Sequence, residues 1–213
     1  MTAYVAGVAI PDSEMALAAA AAARADVPGF VWRHSARVFV FAALMGARRS
    51  VAFDGEMLYV AAMFHDVGLT GAYRQSALRF EVDSANAARA FLAAYGVAAN
   101  SAAEVWSAIA LQTSFGIDEP VSSLTGLMSA GLETDLFGMH FDEIGRAERD
   151  EVLRAFPRDE GFKRQIIDAF AQGLMGRPAT TFGTVNADVL ERCDPDYRRL
   201  NFCGRILGSD WKE

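Results

Sequence analysis

The 213-residue chain has few of the features that mark secreted or membrane proteins. Its two cysteines, Cys193 and Cys203, have the spacing of neither a disulfide framework nor a zinc knuckle, so we expect reduced thiols. The sequence lacks the uncharged apolar run of about 18 residues that a membrane helix needs. It also lacks an early basic residue followed by an apolar segment, the pattern of a secretory signal. We therefore expect a cytoplasmic protein with no membrane partner.

Positive charge is scarce as well. Lys163 and Lys212 are the only lysines, so arginine supplies nearly all of the positive charge, and the net charge is −7. A chain of this charge repels a nucleic-acid backbone overall, and arginine suits fixed bidentate contacts better than a diffuse basic surface. The expected partner is a small-molecule substrate rather than nucleic acid, and a homo-oligomer stays open.

The composition and periodicity indicate one all-α domain over residues 1–213. Apolar residues make up 52% and charged residues 22% of the chain, as in globular proteins. Val31, His34, Val38 and Phe41 recur at three or four residues, which places His34 on the inward face of a helix. We predict no strand, and helices near residues 13–24, 30–45, 54–65, 80–95, 101–114, 122–137, 143–156, 161–174 and 186–192, with Asp54, Asp142 and Asp159 among the caps.

A histidine and an aspartate stand side by side in Phe64-His65-Asp66-Val67-Gly68, at the end of an apolar run. Burying both is costly unless something pairs with them, and a metal ion is the simplest partner. His34 lies upstream on another apolar helix, and Asp135 lies downstream among apolar neighbours. The order H…HD…D uses two of the chain's three histidines. A satisfied core histidine, a buried ion pair and a helix cap are the alternatives for these residues.

At these residues the chain resembles the HD-domain metal-dependent hydrolases. Four phrases occur in the order of that superfamily and are most similar to its cyanamide-hydratase-like branch: Trp32-Arg33-His34-Ser35-Ala36-Arg37, Phe64-His65-Asp66-Val67-Gly68-Leu69-Thr70, Arg79-Phe80-Glu81-Val82-Asp83 and Ala108-Ile109-Ala110-Leu111-Gln112-Thr113. The likeness covers residues 30–138. It implies an HD-domain-like helical bundle, to which residues 139–213 add further helices and an aromatic tail.

The resemblance also implies the site residues. His34, His65, Asp66 and Asp135 correspond to the metal ligands, and Asp66 is expected to orient the attacking water as well. Two imidazoles and two carboxylates suit zinc first, with iron or manganese as alternatives, and leave a coordination position for water. Glu81 is a second catalytic candidate, although a capping acid is an equal alternative. The substrate-binding candidates are Arg37, Thr70, Arg79, Gln112 and Thr113.

At Gln112 the sequence differs from the cyanamide-hydratase-like branch, in which we expect a histidine at this position. Glutamine cannot transfer protons, and the chain has no histidine between Asp66 and Asp135 for a second metal. We therefore predict a single divalent transition metal. His140 is expected to be a loop residue outside the site.

The branch implies a hydratase, a kind of lyase, in which metal-activated water adds to a small uncharged nitrile-type or amide-type carbon, as in the hydration of cyanamide to urea. The loop from Gly68 to Arg79 is expected to form one wall of the cavity, with Glu81 facing it. Hydrolysis of a nucleoside monophosphate or another phosphomonoester is the rival activity. A non-catalytic metal-binding or sensing module is the third candidate, and Gln112 is its only support.

Overall fold

The computed structural model describes residues 2–117 and 121–211, in which helices dominate and the predicted all-α class is confirmed. The helices are α1 (Glu14–Asp26), α2 (Gly29–Arg48), α3 (Gly55–Phe64), α4 (Phe80–Ala94), α5 (Ala99–Ala110), α6 (Ser123–Phe137), α7 (Arg146–Ala155), α8 (Phe162–Leu174), α9 (Asn186–Cys193) and α10 (Phe202–Leu207). Short 3₁₀ turns cover Val67–Leu69, Gly71–Tyr73 and Pro178–Thr181.

Helix α2 is the axis of the bundle because nearly all of its side chains after Val31 are buried. It packs most extensively against α6, and the two backbones approach closely at Gly131, where a Cβ atom would collide with Val38 O. The next most extensive pairing is that of α4 with α5, and α3 contacts both pairs. The apolar core therefore surrounds α3, as expected for a helix that is apolar on nearly every face.

Side-chain caps explain where several helices begin. The side chain of Ser13 accepts a hydrogen bond from Ala16 N, and that of Asp54 accepts from Glu56 N and Met57 N. The predicted caps Asp142 and Asp159 are wrong. Helix α7 begins after Gly145, and α8 begins after Gly161, which has a φ of 74°. Asp159 instead pairs with Arg33, because a long-range charge partner competes for the same carboxylate.

The prediction of no strand is also wrong for the N-terminus. Strands β1 (Tyr4–Val5) and β2 (Val8–Ala9) form a small antiparallel hairpin. The turn residues Ala6 and Gly7 both have positive φ values, 50° and 78°, the geometry of a tight hairpin turn. Two residues per strand are too few for apolar alternation to reveal the pairing.

The C-terminal part packs onto the segment that follows the His-Asp doublet. Gly173 of α8 lies so close to Leu69 that a Cβ atom would be 2.8 Å from Leu69 O, and a Cβ on Gly176 would collide with Arg74 O. Farther on, the predicted aromatic tail contains α10, which the sequence did not predict, and Phe202 and Trp211 are exposed there. Within the described ranges, no helix combines the length and apolar character needed to span a bilayer.

Candidate metal centre

Three side chains converge where α2 and the end of α3 meet. His34 lies in the middle of α2, and His65 and Asp66 directly follow the last residue of α3. All three are buried, with exposed fractions of 0%, 0% and 2%. His34 Nε2 lies 3.3 Å from His65 Nε2 and 3.9 Å from Asp66 Oδ2. One ligand atom from each residue therefore lies within 4.8 Å of the other two, close enough for all three to bind a single metal ion.

The other edge of each imidazole ring is already bonded, and this defines the tautomers. His65 Nδ1 donates to Ala62 O at 2.7 Å, and His34 Nδ1 donates to Asp135 Oδ2 at 2.6 Å. A neutral imidazole that donates from Nδ1 presents a lone pair at Nε2. The two Nε2 lone pairs face each other across the cluster, an arrangement that a cation between them would stabilise.

Asp66 completes the cluster with a carboxylate that lacks ordinary partners. Neither of its oxygens has a hydrogen-bond partner in the described part of the chain, although both are buried. Oδ2 lies 3.2 Å from His65 Nε2, but the geometry is not that of a hydrogen bond. Buried carboxylates are normally hydrogen-bonded, paired or bound to a metal, so Asp66 fits a cation ligand.

The pKa values of the cluster follow from burial and from the neighbouring charges. Burial lowers the pKa of His34, and Asp135 offsets this only in part. Burial also lowers the pKa of His65, but the Asp66 carboxylate, the bond to Ala62 O and the charge of Asp135 together raise it by more, so the net shift is upward. Burial raises the pKa of Asp66, but His65 and His34 together lower it by more, so the net shift is downward. Asp66 is therefore charged at neutral pH, which favours a cation beside it.

Asp135 lies on the far edge of the His34 ring, outside the group of three. Its Oδ1 accepts from Arg37 Nε at 2.7 Å, and its Oδ2 accepts from the second guanidinium nitrogen at 2.9 Å as well as from His34. Burial raises the pKa of Asp135, but the hydrogen bonds from His34 and Arg37 lower it by more. In this arrangement Asp135 holds the His34 ring in place, and its role as a fourth ligand stays a prediction.

A cavity of about 220 Å³ opens at Asp66. Leu69, Thr70, Gly71 and Arg74 line one side of it, so the loop after the doublet forms a wall of this cavity. The opposite side is lined by Asp26, Val27, Pro28 and Val31 and by Ala169 and Gln172 of α8. Asp66 is the one member of the cluster among the lining residues, so the cavity adjoins the cluster at Asp66.

Most of the other predicted site residues belong to a separate polar network. Glu81 is fully buried and accepts hydrogen bonds from Arg79 at 3.0 Å, from Thr113, and from Asn186 Nδ2 at 2.9 Å. Gln112, the neighbour of Thr113 in the sequence, donates from Nε2 to His65 O at 2.7 Å and so contacts the backbone of the doublet. Of the predicted substrate-binding residues, Thr70 is the one that lines the cavity at Asp66. The catalytic role of Glu81 stays a prediction.

The sequence analysis missed Arg177, a buried residue that joins the loop after the doublet to the C-terminal part. Its guanidinium pairs with Asp83 and donates to Gly68 O, to Leu78 O at 3.2 Å and to Gly173 O at 3.1 Å. The cavity residue Gln172 and the network residue Asn186 were missed as well. No local pattern marks these positions, because each becomes functional only through contacts with residues far away in the chain.

Comparison with known proteins agrees with the helical bundle and the buried cluster. The family model described as HD domain matches residues 31–155, which is more than half of the chain and contains His34, His65, Asp66 and Asp135. No curated protein matches the sequence. HD domains bind divalent metals, in keeping with the grouped donor atoms. The chain therefore belongs to the HD domain family.

Proposed function

We propose that this protein is a metal-dependent hydratase or hydrolase that adds water to a small uncharged nitrile-type or amide-type substrate, like the cyanamide-hydratase-like branch of its superfamily. The proposal rests on one observation: two Nε2 atoms converge on the unpartnered carboxylate of Asp66, a residue that lines a cavity of about 220 Å³. The metal is proposed to be one zinc ion, held by His34, His65 and Asp66. Bound there, it would lower the pKa of water to about 7 and so make a nucleophile available.

The protein side chains have separate tasks in this proposal. One oxygen of Asp66 would hold the metal, and the other would be free to accept a proton from water. Thr70 and Gln172, which also line the cavity, offer donors to the substrate nitrogen or oxygen. In the hydration of a nitrile, water supplies O–H to the carbon and H to the nitrogen, and the product is an amide. For cyanamide the product is urea.

The size of the cavity supports a small substrate. Pockets for drug-sized ligands measure about 300–1,000 Å³, and the cavity at Asp66 is smaller than this range. A molecule of a few heavy atoms fits it. A nucleoside would have to extend beyond it.

The charges around the cavity favour an uncharged substrate over a phosphomonoester. A phosphate ester would bring nearly two negative charges beside the carboxylates of Asp66 and Asp26 and would need several cations. The candidate arginines are mostly engaged elsewhere: Arg33 pairs with Asp159, Arg37 with Asp135 and Arg79 with Glu81. Among the described lining residues Arg74 alone carries a positive charge, so nucleoside monophosphates are the disfavoured alternative.

The test compares zinc-loaded wild type with His65→Ala and His140→Ala on cyanamide and on adenosine monophosphate. We expect about one zinc per chain and urea formation in the wild type, both lost in His65→Ala. His140→Ala is the matched control, because His140 is partly exposed and bonded to Glu133 and Glu143, away from the cluster. If phosphate release from adenosine monophosphate were at least tenfold faster than urea formation, the phosphomonoester would replace the uncharged compound as the proposed substrate. Zinc binding with no turnover on either compound would favour the sensing module.

A further inference from the structure

A second cavity, of about 460 Å³, lies among α6, α8 and α9 and has a largely apolar wall. Its apolar lining includes Leu132, Leu136, Phe162, Ile166, Phe170 and Val189. Three charged residues line it. Lys163 and Asp188 are exposed and belong to its rim, whereas the half-buried Arg158 lies over the Phe162 ring and already donates to Asp135 O. Its volume falls within the range of small-molecule sites.

This cavity is distinct from the one at Asp66 because the two lie on different faces of α8. Ala169 and Gln172 line the cavity at Asp66, whereas Ile166 and Phe170 line the apolar one. The cavity touches the candidate metal centre indirectly, through Phe162, whose ring centroid lies 6.1 Å from that of His34, and through Arg158, which donates to Asp135 O at 2.8 Å. The assignment of a ligand here therefore does not depend on the proposed activity.

Asn186 gives the apolar cavity one specific polar feature. It is the first residue of α9, it is buried, and it lines the cavity. Its Nδ2 donates to Glu81, and a carboxylate can only accept, so the amide cannot turn over without losing this bond. Its Oδ1 is consequently left as an acceptor, buried and with no partner in the described residues.

We propose that the apolar cavity binds an uncharged small molecule with a flat apolar body and one N–H or O–H group that donates to Asn186 Oδ1. The aromatic and aliphatic wall matches the apolar body, and the exposed rim charges do not require a charged ligand. A water molecule could donate to Oδ1, but most of the cavity wall is apolar and offers that water no second hydrogen-bond partner. A molecule of two or three rings would fill the space, and its one donor would bond Asn186 Oδ1.

The probe for this site is N-phenyl-1-naphthylamine, an uncharged fluorescent molecule with a single N–H donor. Its matched control is 1-phenoxynaphthalene, which has nearly the same shape and no donor. We expect saturable binding of the amine to the full-length protein and about tenfold weaker binding of the ether, measured by displacement of the amine. This comparison uses the wild-type chain and requires no substitution.

Two variants locate the binding. Val189→Trp fills the cavity and is expected to weaken the binding of both probes at least tenfold. Leu17→Trp introduces the same side chain at an exposed site on α1 and is expected to leave their binding unchanged. Asn186→Ala is expected to remove the preference for the amine over the ether. Equal affinities of the two probes for the wild type, unchanged binding in Val189→Trp, or no saturable binding would each overturn the proposal.

Discussion

At the scale of single residues, the two edges of each cluster histidine have different tasks. His65 Nδ1 is bonded to the backbone of its own helix end, and His34 Nδ1 is bonded to Asp135, so only the Nε2 edges remain for a ligand. Binding a cation here therefore requires little rearrangement of the rings. It does require that both Nε2 atoms be unprotonated.

The net upward shift of the pKa of His65 predicts that zinc affinity falls as the pH falls. Below its raised pKa, His65 holds a proton on the nitrogen that zinc needs, and above that pKa the lone pair is available. With one competing proton, the affinity should decrease up to about tenfold for each pH unit below the pKa. Titration against a competing chelator between about pH 6 and about pH 8 measures this, with His140→Ala as a control of equal slope. An affinity independent of pH over this range would contradict the prediction.

Asp135→Asn separates an orienting role of Asp135 from a direct ligand role. If Asp135 only holds His34, the amide oxygen can still accept from Nδ1, and zinc affinity should fall by about 10- to 100-fold. Asp142→Asn, at an exposed position, is the control and should leave the affinity unchanged. A loss as complete as that of His65→Ala would instead make Asp135 a direct ligand, as the resemblance implies.

At the scale of elements, Arg177 holds the turn at Val67–Leu69 between α4 and α8. It pairs with Asp83 of α4 and donates to Gly68 O on one side and to Gly173 O on the other. Since the loop from Gly68 forms a wall of the cavity at Asp66, the shape of that cavity depends on an arginine in the C-terminal part of the chain. Without it, three backbone carbonyls would lose this donor and the Asp83 carboxylate would keep only the hydrogen bond from Ser76.

Arg177→Met is expected to destabilise the fold by about 3–5 kcal/mol, because it leaves the buried Asp83 carboxylate unpaired. Denaturant unfolding measures the change. Arg199→Met is the matched control: Arg199 forms exposed pairs with Asp188 and Glu191, which solvent screens, so this change should lower the free energy of unfolding far less. Adding Asp83→Asn to Arg177→Met removes the unpaired charge and should recover part of the loss. Equal effects of the two single variants would refute this account of Arg177.

At the scale of the whole molecule, the cluster joins two parts of the core, because His34 belongs to α2 and the doublet follows α3. A ligand that binds only the folded chain raises the free energy of unfolding. The candidate metal would therefore stabilise the bundle as a whole, rather than one loop.

We expect zinc at about 100 times its dissociation constant to stabilise the fold by about 2.7 kcal/mol. For a domain of this size that corresponds to a rise in Tm of roughly 5–10 °C. Thermal unfolding with and without zinc measures it, and His65→Ala should show no such rise whereas His140→Ala should. An equal rise in His65→Ala would mean that zinc stabilises the fold at another place.

The sequence by itself determined the helical class and the identity of the cluster residues. Periodicity located α2 and the inward face of His34, and Asp54 marked the start of α3 because its cap is local. The doublet was visible because a histidine and an aspartate at the end of an apolar helix need a partner. The resemblance supplied the family, and the family match confirmed it.

Tertiary structure alone decided how these residues are used. Asp159 had an equally good local reason to cap α8, but it pairs with Arg33 of α2. The tautomer of His34 follows from Asp135, which lies 101 positions away, and Asn186 meets Glu81 across 105 positions. Periodicity and capping act over a few residues, whereas hydrogen bonds and ion pairs between distant segments form only when the helices pack. The Nε2 edges, the cavity at Asp66 and the acceptor at Asn186 arise from that packing.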